Sequence, residues 1–210
     1  MIKDLIRINY AKTALPESMI FSLGSDEKRI PIVFSCFLIL TENKKILVDA
    51  GCDTMSDFFV MRDFIGPVAA LKEKGFSADE ITDIIITHAH HDHIDGVRHF
   101  KNAVVHIQNE EYEREGKCYI TDDSKVKLFE DETTVDGVKA VKIGGHSDGS
   151  CVAEFEFEGK KCVICGDECY TRYNIENFIP TATSCNPQKS KEFLEKYCTG
   201  DYVCHLCHEE

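Results

Sequence analysis

The chain has 210 residues, a length that suits one domain (1–210) with a full hydrophobic core. Its net charge of −13, spread along the chain, disfavours nucleic acid and anionic membrane as partners. No apolar run approaches a membrane span and the first residues show no secretory signal, so we expect a cytoplasmic protein. The eleven cysteines are then expected to be reduced thiols, several of them buried.

Runs of β-branched and aromatic residues, bounded by Gly, Asp, Asn or charge, predict eight strands. In chain order they cover 32–40, 45–51, 83–88, 103–107, 138–143, 151–158, 161–166 and 201–206. Gly159 predicts a hairpin turn between the sixth and seventh strands.

Four helices are predicted between these strands. They cover about 55–74, 77–81, 108–115 and 187–197. Asn186 is expected to cap the last helix, with Pro187 in its first turn. Strands in blocks, with helices between some of them, indicate an α/β domain of two sheets packed face to face with helices outside.

The segment IIITHAHHDHIDG carries four histidines and an aspartate within six residues at a predicted strand end. Residues two apart on extended backbone point the same way, so His88 and His90 can share one metal ion. If the chain turns into a helix near Asp92, that residue and His93 can face a second ion. Imidazole with one carboxylate suits zinc, iron or manganese, and the lack of thiolates in this cluster favours an open, reactive site.

A site for two ions needs further ligands from other parts of the chain. His146 in KIGGHSDGS and Asp167 in VICGDECY both follow predicted strands. Each alone is more often a loop histidine or a turn aspartate, but beside the first cluster we predict both as ligands. His91, in contrast, is expected to point away from the ions.

The chain carries His88-x-His90-x-Asp92-His93, then His146, then Asp167, then a C-terminal histidine. This order resembles the metal-ligand pattern of the metallo-β-lactamase superfamily. ILVDAG, at 46–51, resembles its first motif, with Asp49 supporting the ligands. The resemblance spans about residues 30–208 and implies a four-layer αβ/βα sandwich with the metal site at the edge of the two sheets. It implies that one ion is bound by His88, His90 and His146, the other by Asp92, His93 and His208, with Asp167 bridging.

The C-terminal VCHLCHEE admits three interpretations, namely c-type haem attachment, a thiolate zinc site, or the last ligand of the cluster described above. Haem attachment normally follows export, which the missing signal disfavours. The resemblance places the last ligand after the final strand, which favours His208 over His205. The C-x-x-C cysteines are then predicted to be strand residues instead of redox pairs: Cys162, Cys165, Cys204 and Cys207.

The resemblance implies hydrolysis of an ester, lactone, thioester or amide by hydroxide formed between two cations, with Asp92 moving the proton. Residues 166–196 resemble the N-acyl-homoserine lactonase branch, in which a tyrosine follows the bridging aspartate by three positions, as Tyr170 follows Asp167. Its phenol would then bind the substrate carbonyl, with simple packing under a loop as the alternative. Side chains proposed for an acyl groove are Met19, Phe21, Phe58, Phe59, Met61 and Phe64.

Two zinc ions are the expected cofactors, with iron or manganese left open, and the expected partner is a small-molecule substrate. A homodimer is left open. The alternatives on the same fold are a thioesterase of the glyoxalase II type, a mononuclear iron dioxygenase, a B3-type β-lactamase and a nuclease. Two alternatives come from other classes: a redox or haem-binding protein built on CHLCH and CVIC, and a non-catalytic metal-binding module.

Overall fold

A computed structural model describes residues 1–121 and 123–209 and contains two β-sheets. The strands of the first sheet are β1 (Ile2–Pro16), β2 (Arg29–Thr41), β3 (Lys45–Val48), β4 (Asp83–Ile85), β5 (Val104–Gln108) and β6 (Lys125–Phe129), side by side in that order. β1, β2 and β3 pair antiparallel, whereas β3 to β6 pair parallel. The parallel part brings the carboxyl ends of β3 and β4 to one edge.

The strands of the second sheet are β7 (Glu132–Val135), β8 (Val138–Lys142), β9 (Cys151–Phe157), β10 (Lys160–Ile164) and β11 (Tyr202–His205). Their order is β11-β10-β9-β8-β7. Neighbours are antiparallel except β10 and β11, which pair parallel, so these two also end at one edge.

The α-helices are α1 (Glu17–Ile20), α2 (Pro67–Glu73), α3 (His91–Ile94), α4 (Asn109–Arg114), α5 (Arg172–Asn177) and α6 (Pro187–Tyr197). Short 3₁₀ turns cover Ala78–Glu80, Asp95–His99, Gly116–Cys118 and Gly166–Glu168. None of the helices in the described ranges has the length and apolar character needed to cross a bilayer.

Three apolar clusters define the layers. The cluster between the sheets combines Val48 and Ile85 of the first sheet with Val138 and Ile164 of the second. The other two clusters cover the outer faces of the sheets, one beneath α2 and the other beneath α6. This arrangement confirms the predicted four-layer αβ/βα sandwich.

Several local predictions are confirmed. Glu158 and Gly159 form the hairpin turn with φ of 51° and 72°. Paired left-handed residues suit the twist of a hairpin. The Asn186 side chain accepts a hydrogen bond from Lys189 N at 3.2 Å and caps α6, whose bounds agree with the prediction.

The predicted helix over 55–74 is largely wrong, because only Pro67–Glu73 is helical. Met61 and Phe64 in the preceding segment pack on the core from turns and a single bridge, so their helix-like spacing comes from tertiary contacts. Gly66 has φ of 79°, which breaks a continuous helix before the proline.

The strand assignment is also wrong for two cysteines. Cys162 and Cys204 lie in β10 and β11, but Cys165 and Cys207 lie just beyond those strands. Both strands stop early because the backbone turns there toward the edge between the sheets: a 3₁₀ turn begins at Gly166, and a bend follows Leu206.

Candidate metal centre

Five chain segments meet at one edge of the sandwich, one of them the connection between β8 and β9 that carries His146. Asp49 follows β3 and His88 lies just beyond β4, while Asp167 lies just beyond β10 and His208 just beyond β11. Since β3 and β4 are parallel, and β10 and β11 are parallel, each pair delivers its following residues to the same place. The fold thereby brings together side chains that are far apart in sequence.

The first group of ligand-type atoms consists of three imidazole nitrogens. His90 Nδ1 lies 3.0 Å from His88 Nε2 and 2.9 Å from His146 Nε2. Asp167 Oδ2 lies 3.6 Å from His88 Nε2 and 3.5 Å from His146 Nε2. One atom from each of these four residues falls within a 4.8 Å span.

The second group lies on the other side of the same carboxylate. Asp167 Oδ1 is 2.9 Å from His208 Nε2 and 3.1 Å from His93 Nε2. Asp92 Oδ2 lies 3.5 Å from His93 Nε2 and 3.9 Å from His208 Nε2. Asp167 therefore turns one oxygen toward each group.

Hydrogen bonds behind the site fix which ring nitrogen faces inward. Asp49, at φ 62°, accepts from Thr87 N at 2.8 Å, and its Oδ2 lies 2.8 Å from His93 Nδ1. His208 Nδ1 lies 3.0 Å from the carbonyl oxygen of Val33, to which it donates. Both contacts leave Nε2 directed at Asp167, which is how outer hydrogen bonds orient histidine ligands.

Two buried glutamates hold the loops of the site, and the sequence reasoning missed both. Glu168 accepts from Gly145 N at 3.0 Å and His146 N at 3.1 Å, and burial raises the pKa of this carboxyl. Glu111 accepts from Ala89 N at 2.8 Å, between the first two histidines. The sequence feature that could have indicated Glu168 is its position directly after Asp167 at a strand end.

In the group around His88, burial favours the neutral imidazoles that metal ligation requires. Burial lowers the pKa of His146 to about 4 and that of His88 well below its usual value, so both rings are neutral. Burial lowers the pKa of His93 and His208, but the charge of Asp167 outweighs it and raises both. Burial likewise opposes ionisation of Asp167, and the charges of His93 and His208 outweigh it and hold the pKa of this carboxyl well below the usual value. The carboxylate is therefore ionised between the two groups.

His93 Nε2 supplies a test of whether the residues fit a metal. This nitrogen is buried and, although Asp167 Oδ1 lies 3.1 Å away, it makes no hydrogen bond in the described structure. A buried polar atom left without a partner costs about 1–3 kcal/mol. A cation between His93, Asp92 and His208 would remove that cost, and the nitrogen and carboxylate donors suit zinc, so the residues fit a pair of ions.

The remaining candidate histidines lie outside both groups. His91 Nε2 is 2.8 Å from the carbonyl oxygen of Thr54, facing away as expected. The half-buried His205 ring packs 6.0 Å from Phe37 and 6.1 Å from Phe155, which belong to the core between the sheets. Of the two C-terminal histidines, the structure therefore brings His208 to Asp167.

A cavity of about 430 Å³ opens above these groups. Tyr170 lines it, with its hydroxyl 3.0 Å from Thr183 Oγ1 and its ring 5.1 Å from that of His208. Burial raises the pKa of the phenol well above 10, so it stays protonated. The apolar lining residues are Leu15, Met19, Ile20, Ile32, Phe34, Met55 and Phe59.

Of the six side chains expected in an acyl groove, Met19 and Phe59 line this cavity. The others do not. Phe21 stacks on Tyr173 at 4.7 Å, and Phe58 is 61% exposed. Met61 and Phe64 pack against the core of the first sheet. The other apolar lining residues were not among the six expected side chains. They are Leu15 of β1, Ile20 of α1, Ile32 and Phe34 of β2, and Met55.

A two-sheet sandwich with clustered histidines and carboxylates at its edge defines a metallohydrolase type of protein. The chain belongs to the metallo-β-lactamase superfamily, whose family model matches residues 33–179. An N-acyl homoserine lactonase of Bacillus thuringiensis is 29% identical over 204 residues, covering 86% of this chain and 82% of the relative. The family and such relatives make this chain a hydrolase.

Solved structures share the fold over the whole chain. An N-acyl homoserine lactone hydrolase with N-hexanoyl-L-homoserine at its catalytic metal centre has a TM-score of 0.84 at 24% identity, covering 100% of this chain and 94% of that one. AidC, described as a dizinc quorum-quenching lactonase, has a TM-score of 0.75 at 18% identity, covering 100% and 90%.

Proposed function

We propose that the chain hydrolyses N-acyl homoserine lactones with two zinc ions at the edge of its sandwich. The observation that carries the proposal is Asp167, which turns one oxygen toward each of two histidine groups at the base of an apolar cavity. The curated Bacillus relative is an N-acyl homoserine lactonase, and one fold neighbour is described as dizinc.

The proposed ligands are the seven side chains of the two groups. His88, His90 and His146 would hold one ion, Asp92, His93 and His208 the other, with Asp167 shared between them. When bound, the pair of ions would supply an ionised water at neutral pH and polarise the lactone carbonyl.

Two side chains of the cavity would serve the reaction itself. Asp92 lines the cavity, and its backbone carbonyl accepts a hydrogen bond from Tyr10 at 2.7 Å, which fixes its position. Its carboxylate would hold the proton and pass it to the leaving alkoxide. Tyr170, protonated and also in the cavity wall, would donate a hydrogen bond to the substrate carbonyl.

The charge of the cavity favours a lactone over a glutathione thioester. Among the described residues that line it, the charged ones other than histidine are Asp92, Glu115 and Asp167, and there is no lysine or arginine. Carboxylates of glutathione would meet acidic groups, whereas an acyl lactone carries no charge. The cavity volume of about 430 Å³ suits a small ligand.

A substrate panel tests the proposal on the metal-loaded protein. We expect proton release from short- and long-chain N-acyl homoserine lactones, with kcat/KM at least ~10³-fold above that for S-lactoylglutathione, a difference of about 4 kcal/mol. Metal analysis should give two zinc ions per chain, whereas one iron would indicate the dioxygenase alternative. Turnover of thioester alone would overturn the lactonase proposal.

The two C-terminal histidines provide a matched pair of variants. His208→Gln is expected to reduce bound zinc by one ion per chain and lower lactone turnover at least ~100-fold, because it removes a nitrogen next to Asp167. His205→Gln, three positions earlier at a half-buried ring beside Phe37, should keep both ions. Equal metal content in the two variants would refute the ligand assignment.

A further inference from the structure

Four cysteines that the proposed hydrolysis does not use lie together in the apolar cluster beneath α6. Cys165 and Cys169 flank the 3₁₀ turn at Gly166–Glu168. Cys198 ends α6, and Cys204 lies in β11. All four belong to, or pack against, one cluster on the outer face of the second sheet.

Two of these thiols are already in contact. The sulfur atoms of Cys198 and Cys204 are 3.9 Å apart. A disulfide bond is about 2.05 Å long, so each sulfur needs to move by roughly 1 Å. The turn between them includes Gly200 at φ 105°, and Thr199, Gly200 and Asp201 are exposed.

The thiols of this pair differ in reactivity. Contacts with Cys165 and Cys198 lower the pKa of Cys204 to about 4, with a further contribution from the charge of Arg172. The pKa of Cys198 is raised by its contacts with Cys169 and Cys204 and by burial. Cys198 is buried and Cys204 is only half buried, so Cys204 is the thiol of the pair that an incoming disulfide can reach first.

Cys204 is only half buried and lines a surface pocket of about 250 Å³. The same pocket is lined by Arg7, Arg172 and Glu209. Guanidinium groups bind carboxylates through paired, charge-assisted hydrogen bonds. Arg7 donates to Ser35 Oγ at 3.0 Å and to the carbonyl oxygen of Leu206 at 2.8 Å, so Arg172 is the carboxylate-binding group that the pocket places near the half-buried Cys204.

We propose that Cys204 and Cys198 form a thiol–disulfide exchange site for a small disulfide that carries carboxylates. The Cys204 thiolate attacks one sulfur of that disulfide, forming a mixed disulfide and releasing one small thiolate. Cys198 then loses its proton and attacks the Cys204 sulfur, which releases the second small thiolate. The pair is oxidised by two electrons, and the small disulfide is reduced to two thiols.

The geometry favours exchange over a thiolate metal site. Among the described residues, the groups whose ligand atoms converge as a metal requires are the two around Asp167, and the four thiols form no such group. The contacts run instead in a chain, from Cys165 to Cys204, Cys198 and Cys169. The proposal does not depend on the lactonase assignment.

The test uses the metal-loaded wild-type protein and oxidised glutathione. After incubation, remaining thiols are alkylated and peptides are mapped by mass spectrometry. We expect a Cys198–Cys204 cross-link, with the loss of two hydrogen atoms. Glutathione confined to the exposed Cys118 and Cys185, with Cys198 and Cys204 alkylated, would overturn the proposal, as would a cross-link from Cys204 to Cys165 instead.

Variants separate the roles of the two thiols. Cys198→Ser should accumulate glutathione on Cys204, and Cys204→Ser should leave Cys198 free. Cys118→Ser, at an exposed site, should retain the cross-link. Glutathione on Cys198 in Cys204→Ser would contradict the assigned order of attack. Because the wild-type map alone decides the main question, a variant that fails to fold leaves the proposal testable.

The pocket is tested with a second disulfide of opposite charge. Arg172→Ala should slow cross-linking by oxidised glutathione roughly 3- to 10-fold, because a carboxylate-attracting charge is lost. Cystamine, which carries amines, should react with this variant at an unchanged or higher rate. Equal slowing with both disulfides would show that Arg172 acts on the thiol alone and would refute the carboxylate preference.

Discussion

Tyr170 shows how a single side chain joins the cavity to the candidate metal centre. Its hydroxyl contacts Thr183, and Thr183 Oγ1 lies 3.2 Å from His146 Nδ1. The phenol therefore forms a chain of hydrogen bonds that ends on a proposed ligand. The ring is buried, as the packing alternative expected, and the binding of a substrate carbonyl by the hydroxyl stays a prediction.

The Tyr170→Phe variant tests the role of that hydroxyl. We expect kcat on an acyl homoserine lactone to fall about 10-fold, near 1.4 kcal/mol of lost transition-state stabilisation, with a smaller change in KM. Bound zinc should stay at the wild-type level, because Tyr170 is not a proposed ligand. The comparison variant is Tyr173→Phe, whose ring is 47% exposed outside the cavity. An unchanged kcat in Tyr170→Phe would refute the catalytic role of the hydroxyl and show that the residue only packs.

At the scale of elements, the segment between β3 and α2 forms part of the cavity wall as a loop. Met55 and Phe59 line the cavity from this segment, and Lys12 forms a bridge with Arg62 that ties the segment to β1. The ring of Phe59 also packs 6.5 Å from Phe34, edge-on, across the cavity lining. Substrate selection is therefore expected to involve this loop together with β2.

Neighbouring phenylalanines in this loop give a paired test of acyl recognition. Phe59→Ala should raise KM for long-chain acyl lactones about 10-fold, because it removes apolar surface from the cavity. The KM for short-chain lactones should change less. The Phe58 side chain is 61% exposed and lies outside the cavity lining, so Phe58→Ala should change KM for long-chain and short-chain lactones by no more than about 2-fold. An equal effect of both variants on every chain length would count against this acyl pocket.

The sequence predicted the elements whose signal is local and missed those that depend on partners. Buried strands such as β2 and β10, and α6 with its cap, follow from composition and spacing. β1 was not predicted, because register shifts near Asp4 and Tyr10 interrupt its alternation and charged residues are interspersed along it. β6 and β7 are short and carry exposed charged or polar side chains, which hides them from hydrophobic patterning.

The candidate ligands could be predicted because several of them lie in one dense sequence motif. The contacts that support these ligands are visible only in the folded structure. His88, His90, Asp92 and His93 stand out in one segment, and their partners followed from order along the chain. Glu111 has no sequence signal, since its contact with Ala89 spans two elements brought together by β4–β5 pairing. Likewise, spacing in the sequence does not reveal the contact between Cys198 and Cys204.

At the scale of the whole molecule, the candidate centre links the two sheets. Asp49 and His88 follow strands of the first sheet, and Asp167 and His208 follow strands of the second. The backbone adds to this link, because Val33 N of β2 donates to the carbonyl oxygen of His208 at 3.2 Å. Ions bound between these residues would oppose separation of the sheets, so metal occupancy and folding stability are expected to be coupled.

Chelation should therefore lower the thermal stability of the loaded protein. Each ion present at about 1,000 times its Kd contributes roughly 4 kcal/mol to the folded state, so removal of both ions corresponds to a loss of roughly 20 °C in Tm for a chain of this size. The measurement is calorimetry before and after chelation, with metal analysis of each sample. Re-addition of zinc should restore the Tm. Asp167→Asn, which removes the charge shared by both groups, should have a lower starting Tm and a smaller chelator effect. A wild-type Tm that is unchanged after verified metal removal would refute the coupling between the ions and the two sheets.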